Sequence, residues 1–486
     1  MTRPWVLFGQ TINDKLHKPI KTPAACILMS LLARVLMGLC FYILFMDKQA
    51  WVVAVDMGYG HQRAAYPLRH LSPTGKVISA NNYQGIPQQD YRIWHESEIF
   101  YGFVSRLINV PLIGKYLFNL YDKLQSIKDF YPRRDLSASN IQLKEMYALM
   151  KKGWGEDLIK FLNTKDIPLI TTFFTVAFFA EEHCFKNDIY LVLCDADISR
   201  TWVALNPQKS RIKYLAPCRR VVDRLKLYGV KDENIFLTGF PLPEENLGGT
   251  NLEVLKSDLL ARIHNLDPLK RYRQKYSETV AHFLKNDGEK ITHLHPLTIT
   301  FAVGGAGAQK MMAKDILLSL KKRLLNEELQ LNLVAGTRND VYLYFQERIK
   351  ECGLEKLLDK NIKIIFAMEK EDYFRQFNEA LRTTDMLWTK PSELVFYSAL
   401  GIPLVTAPSL GAQEVYNRTW LKTIGAGISQ NNPKYVHEWL FDWVDSGWLA
   451  EAAMAGFLDG RQFGVSNIKD VVFNGVKEPT KSYQLM

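Results

Sequence analysis

The chain has 486 residues, 47% of them apolar and 23% charged, with a formal net charge of +10; it is too long for one ordinary core and too apolar for a disordered chain, so two domains are expected. No Arg/Lys block is dense enough for a nucleic-acid groove, whereas phosphate-bearing substrates and anionic lipid surfaces suit the modest positive excess. Six cysteines, at 26, 40, 184, 194, 218 and 352, form no CxxC pair and no tight Cys/His cluster, which argues against a disulfide scaffold or structural zinc and fits a reducing, cytosol-facing compartment.

Residues 1–46 form a basic and apolar helical segment. Its run at 24–46 is long enough to cross a bilayer, but Arg34 stands near its middle, where charge is costly. Ser30, Arg34 and Gly38 recur at spacing four, a weakly polar stripe that a helix can turn toward headgroups. Membrane-surface or re-entrant contact, a buried soluble helix and a true span all remain open. A span would carry the rest of the chain to the far side, the wrong side for an enzyme using a cytosolic activated substrate.

A first domain is expected over 47–245. The β-rich run Trp51 to Asp56 leads into Met57-Gly58-Tyr59-Gly60-His61, where Gly58 and Gly60 permit a tight strand-to-helix turn and close approach of backbone to a ligand. The spacing is not GxGxxG, so it gives a dinucleotide fold little support. His61, at the helix start, is either a packing residue or a base for an incoming hydroxyl. Further strands are expected at 76–79, 165–172, 189–194, 211–216 and 235–239. The apolar, aromatic stretch 99–130 reads as two helices that belong to the core, line an acceptor groove or form a membrane-facing ridge. After the fourth strand, Asp195 and Asp197 form a D-x-D pair able to orient a base, bind hydroxyls or hold magnesium. Alternation of short apolar strands with helices predicts a mostly parallel sheet with function at the carboxyl ends of its strands.

Residues 246–296 read as a charged helical connector with a basic face turned to solvent or to headgroups. A second α/β domain is expected over 297–433. Its first strand, Leu297 to Val303, runs into Gly304-Gly305-Ala306-Gly307-Ala308-Gln309, a turn that lets backbone approach phosphate at a helix end. The turn lacks GK[ST], which argues against a Walker-type nucleotide triphosphatase. More strands are expected at 331–335 and 362–366, with Arg338 on a strand-end turn able to neutralise phosphate. The stretch from Thr384 to Asn417 then reads as a buried strand, a polar turn holding Lys390, Pro391 and Ser392, an apolar helix ending at Gly401, a strand at 404–407, and a loop returning to Gln413 and Glu414. Amides at that helix start and the Lys390 ammonium can hold an anion; simple helix punctuation is the competing account. Helical pieces in 434–486 are expected to pack back across both domains.

Five segments in order, DMGYGHQRAA at 56–65, DADISRTW at 195–202, LTGFP at 237–241, GGAGAQ at 304–309 and TKPSE through GAQEVYN at 389–417, resemble the GT-B glycosyltransferases. The likeness is to the branch holding the lipid II-forming N-acetylglucosaminyltransferase, the monogalactosyldiacylglycerol synthases and the processive diacylglycerol glucosyltransferases. The resemblance implies two Rossmann-like domains facing across a cleft, the first binding an acceptor and the second a nucleotide-diphosphate sugar. It implies hexosyl transfer to a lipid or other amphiphilic acceptor, with inversion, no tightly bound cofactor and no required divalent metal. It places such a protein in the cytoplasm at the inner face of the cell membrane. On the acceptor side, His61 matches the general base, with Asp197 beside it, and Gly58, Gly60 and Trp202 as acceptor contacts. Gly304, Gly305, Gly307, Ala308, Arg338, Lys390, Ser392, Gln413 and Glu414 match the donor side, with Asn417 in the neighbouring loop. The ribose-binding glutamate common in the family is replaced by Phe396, Tyr397 and Ser398, leaving Glu393 to reach the ribose from another geometry. An epimerase or hydrolase of the same architecture, and a non-catalytic sugar-nucleotide-binding protein, are the alternatives.

Overall fold

The computed structural model describes residues 48–107, 127–284, 294–304, 307, 309–409 and 411–478. The apolar run at 24–46 and part of the aromatic stretch at 99–130 lie outside them. All the elements below belong to one unit, Gln49–Met486.

Two six-stranded sheets, parallel throughout, carry the chain. The first has the order β2-β1-β3-β4-β5-β6, built from β1 Trp51–Ala54, β2 Ile78–Ser79, β3 Leu169–Thr171, β4 Ile189–Val192, β5 Lys213–Ala216 and β6 Ile235–Leu237. The second has the order β12-β11-β10-β7-β8-β9, built from β7 Leu297–Ala302, β8 Leu329–Gly336, β9 Ile362–Phe366, β10 Met386–Thr389, β11 Leu404–Thr406 and β12 Gly427–Ser429. Central strands such as β1 and β4 are buried along their whole length, as expected where helices cover both faces. These are the two Rossmann-like halves that strand and helix alternation predicted.

Strand order alone sets a crevice in each sheet. In the first sheet the chain goes outward from β1 to β2 and then returns to β3 on the other side of β1. In the second it runs outward through β7, β8 and β9 and returns to β10 on the other side of β7. Reversal of strand order opens a crevice at the carboxyl ends of the flanking strands, here between β1 and β3 and between β7 and β10.

The C-terminal helices pack back as expected. Helix Trp448–Asp459 lies against helix Glu253–Leu266 and the 3-10 helix Glu393–Leu400. Helix Gly464–Asn474 places Val465, Ile468 and Val471 in the same cluster as Val52, Tyr190 and Leu215 of the first sheet. In the 246–296 stretch Lys270, Arg271 and Lys275 are exposed, but not every charge faces solvent. Arg262 is 2% exposed and donates to the carbonyls of Leu381, Thr384, Leu400 and Gly401, while Asp258 pairs with Arg382. Among the described residues, no helix is long and apolar enough to cross a membrane.

Candidate functional site

The wall on the first sheet grows from β1. Past Ala54 the chain is held by Asn81, which accepts from the Asp56 amide at 2.7 Å and donates to the Asp56 carbonyl. Gly58 then takes φ +94° with open space where a side chain would sit, a conformation glycine adopts at little cost. The turn delivers Gly60 to the start of helix Gly60–Ala65 and His61 to its first turn. The His61 carbonyl accepts from Thr172 Oγ1 at 2.9 Å, directly after β3, so His61 stands at the first crevice. Its ring lies 4.9 Å from that of Phe173 and 5.5 Å from that of Trp202. Nδ1 is buried without a partner. Burial pushes the imidazole pKa down to about 4, against the opposing pull of the Glu393 charge and of hydrogen bonding to the Thr172 backbone. At neutral pH the ring is therefore uncharged.

On the second sheet, Gly304 follows β7 and Lys390 follows β10, so the pair flanks the other crevice. The Lys390 stem lies across Gly304: a Cβ there would stand 2.8 Å from Cε. Lys390 Nζ donates to Glu414 at 2.9 Å, on the first turn of helix Ala412–Thr423. Gly307 closes the turn by donating to the Gly304 carbonyl at 2.8 Å, with φ +69° and the Arg338 guanidinium nearby. Arg338 and Lys310 both bind Asp340, and hydrogen bonding from Arg338 leads the effects that draw its pKa down to about 2. Three cations thus border the glycine turn. Gly305 and Ala308 lie outside the described residues. Ser392 caps the 3-10 helix Glu393–Leu400, its amide donating to the Lys390 carbonyl at 2.8 Å, and Gln413 sits half-buried beside Glu414.

The two walls touch. Tyr59 Oη accepts from the Thr337 amide at 2.8 Å, Lys370 pairs with Asp56, and Arg63 pairs with Glu393 and donates to Tyr373 Oη at 2.6 Å. Asn417 bridges both halves, accepting from the Ala196 amide at 2.7 Å and donating to Asp195 Oδ1 at 2.8 Å and the Pro391 carbonyl at 3.2 Å.

Two assignments change. Asp197 is not the carboxylate beside His61: it is 1% exposed, and both its oxygens are taken, by Arg224 at 2.7 and 2.9 Å, Arg220 at 2.9 Å and the Ile198 amide. Its role is to anchor helix Arg219–Leu227. Glu393 is not turned to a ribose: burial alone would raise its pKa, but Arg63 and Lys390 hold it below the ordinary range as an ion-pair partner. The negative charge felt by His61 comes from Glu393. Trp202 does stand beside His61, and Gly60 faces Glu393, whose Oε2 would lie 2.9 Å from a Cβ. Sequence reasoning passed over Arg63 and Tyr59, and placed beside His61 an aspartate that Arg220 and Arg224 hold instead. Beyond β4 the chain leaves strand geometry, so period-two alternation no longer tells which aspartate faces the cleft. Among the described residues no group of three or more His, Cys, Asp or Glu is placed to hold a metal ion.

A family described as a domain of unknown function (DUF6938) matches residues 278–434, a range that contains β7 through β12. No curated protein sequence matches the chain. Similar solved structures include MurG of Acinetobacter baumannii, 12% identical over 88% of this chain and 99% of that one, with a TM-score of 0.41. Staphylococcus aureus MnaA with UDP is 12% identical over 89% and 99%, at 0.44. A glycosyltransferase of Rickettsia africae is 11% identical over 88% and 100%, at 0.37.

Proposed function

We propose that the chain is a glycosyltransferase that moves a hexosyl group from a nucleotide-diphosphate sugar, a UDP-sugar first, to a hydroxyl of a lipid or other amphiphilic acceptor. One observation carries the reading: a neutral histidine at the crevice of one parallel sheet and a glycine–lysine turn at the crevice of the other belong to walls joined by direct contacts. The diphosphate lies against the Gly304 to Gly307 turn, with Lys390 and Arg338 offsetting the charge that builds as it departs. His61 takes the proton of the acceptor hydroxyl as its oxygen bonds to the anomeric carbon and the bond to the diphosphate breaks. Attack opposite the leaving group inverts that carbon. Phe173 and Trp202 against His61, with Phe174 against Trp202, give the acceptor side an apolar lining suited to an amphiphile. Cytosol-facing work at a membrane surface, for which residues 24–46 are the candidate contact, belongs to the same proposal.

The test measures UDP release from UDP-glucose, UDP-N-acetylglucosamine and UDP-galactose, with and without diacylglycerol in mixed micelles. Acceptor-dependent release is expected, falling by about 10²- to 10⁴-fold in His61→Ala while donor affinity is kept. Release that is independent of every acceptor turns the reading to a hydrolase. Unchanged turnover in His61→Ala removes the base assignment.

A further inference from the structure

We propose that Asp195 is a substrate-contacting residue, its Oδ2 accepting a hydrogen bond from a hydroxyl of the sugar carried by the nucleotide. The inference rests on the nucleotide-sugar reading above and adds a contact from the half that binds the acceptor.

Asp195 stands just past β4, yet it is tied to the other half. A short path of contacts runs from the Pro391 carbonyl, next to Lys390, through Asn417 Nδ2 to Asp195 Oδ1, at 3.2 and 2.8 Å. Asn417 is itself 0% exposed and fixed by the Ala196 amide. One carboxylate oxygen is therefore held in place by a buried amide. The other, Oδ2, has no hydrogen-bond partner among the described residues and is not sealed from solvent. The groups whose charge acts on Asp195 are Glu393, Lys390 and Glu414, so it looks onto the same ground as the glycine–lysine turn. A sugar extending from a diphosphate at Gly304 and Lys390 toward His61 must cross that ground. Burial lifts the Asp195 pKa to about 6, Glu393 adding to the shift and Asn417 and Lys390 opposing it. The group thus remains mostly a carboxylate at neutral pH, a strong acceptor for a hydroxyl. Asn417 acts as a positioning residue for it.

The proposal is tested by calorimetric titration of the full chain with UDP, UDP-glucose, UDP-N-acetylglucosamine and UDP-galactose. Wild type is expected to bind at least one sugar nucleotide more tightly than UDP. Asp195→Asn is expected to weaken that one by about 10- to 100-fold and to leave UDP within about twofold. Equal change for UDP and its sugar conjugates, or no change for either, overturns the proposal, as does a wild type that gains nothing from the sugar. A wild type that binds none of the four overturns the nucleotide-sugar reading together with it. Deoxy analogues of the preferred sugar, titrated into wild type, check the same contact without a variant. One position is expected to cost as much as Asp195→Asn, and analogues that all bind as tightly as the parent sugar contradict it.

Discussion

Arg63 is a guanidinium held away from water among the rings of Tyr59, Tyr373, Phe374 and Phe377, with Glu393 as its counter-charge. A buried pair of this kind adds little net stability, yet losing one member leaves an unpaired charge at a cost of about 3–5 kcal/mol. Glu393→Gln is therefore expected to lower the unfolding free energy read by urea titration by about that amount, and the double change Arg63→Met with Glu393→Gln to recover much of it. Asp385 gives a pH signature. Its Oδ2 accepts from the Thr298 amide at 2.8 Å and from Asn265 at 3.1 Å, and burial raises its pKa to about 8, against the pull of Arg262. The unfolded carboxyl loses its proton near pH 4 and the folded one near 8. Its contribution to stability is thus complete at low pH and is lost as pH rises through 8. Asp385→Asn can still accept from Thr298, so the difference in melting temperature between wild type and variant is expected to grow in the variant's favour from pH 5 to 9. A constant difference across that range contradicts the assignment.

At the scale of the element, the turns carry the design. β8 ends at Gly336 with φ +69°, and a Cβ there would run into the Tyr59 phenol that binds the next amide. Gly336→Ala is expected to cost about 1–2 kcal/mol for the backbone alone, and more because Tyr59 must leave Thr337; a calorimetric melt reads the sum. Much at this level was legible in the chain. Apolar β-rich runs marked β1 and β9, and Gly401 closed its helix as read, with φ +68°. Two elements were not legible. Three-residue β12 starts at a glycine, which gives no strand signal of its own, and helix Gly464–Asn474 shows its apolar face only once the first sheet is there to cover. The site was half legible, because local pattern places His61 and Lys390 at strand ends. Pairings at large separation, such as Arg63 with Glu393 or Asn417 with Asp195, have no local trace.

For the whole molecule, the two halves are joined at the front by polar contacts and at the back by the returning C-terminal helices. Val465, Ile468 and Val471 are each buried against the first sheet, worth roughly 1.5–3 kcal/mol apiece by area. Truncation of the middle side chain, Ile468→Ala, is expected to cost about 2–5 kcal/mol, read by urea unfolding, with no effect on nucleotide affinity. The central claim is that the crevices at β1/β3 and β7/β10 form one site for a nucleotide sugar. A crystal structure of the full chain grown with UDP tests it most directly. The account predicts the diphosphate within hydrogen-bonding distance of the Gly304 to Gly307 turn and Lys390, on the side facing His61; a nucleotide bound elsewhere, or that turn directed away from it, contradicts the account.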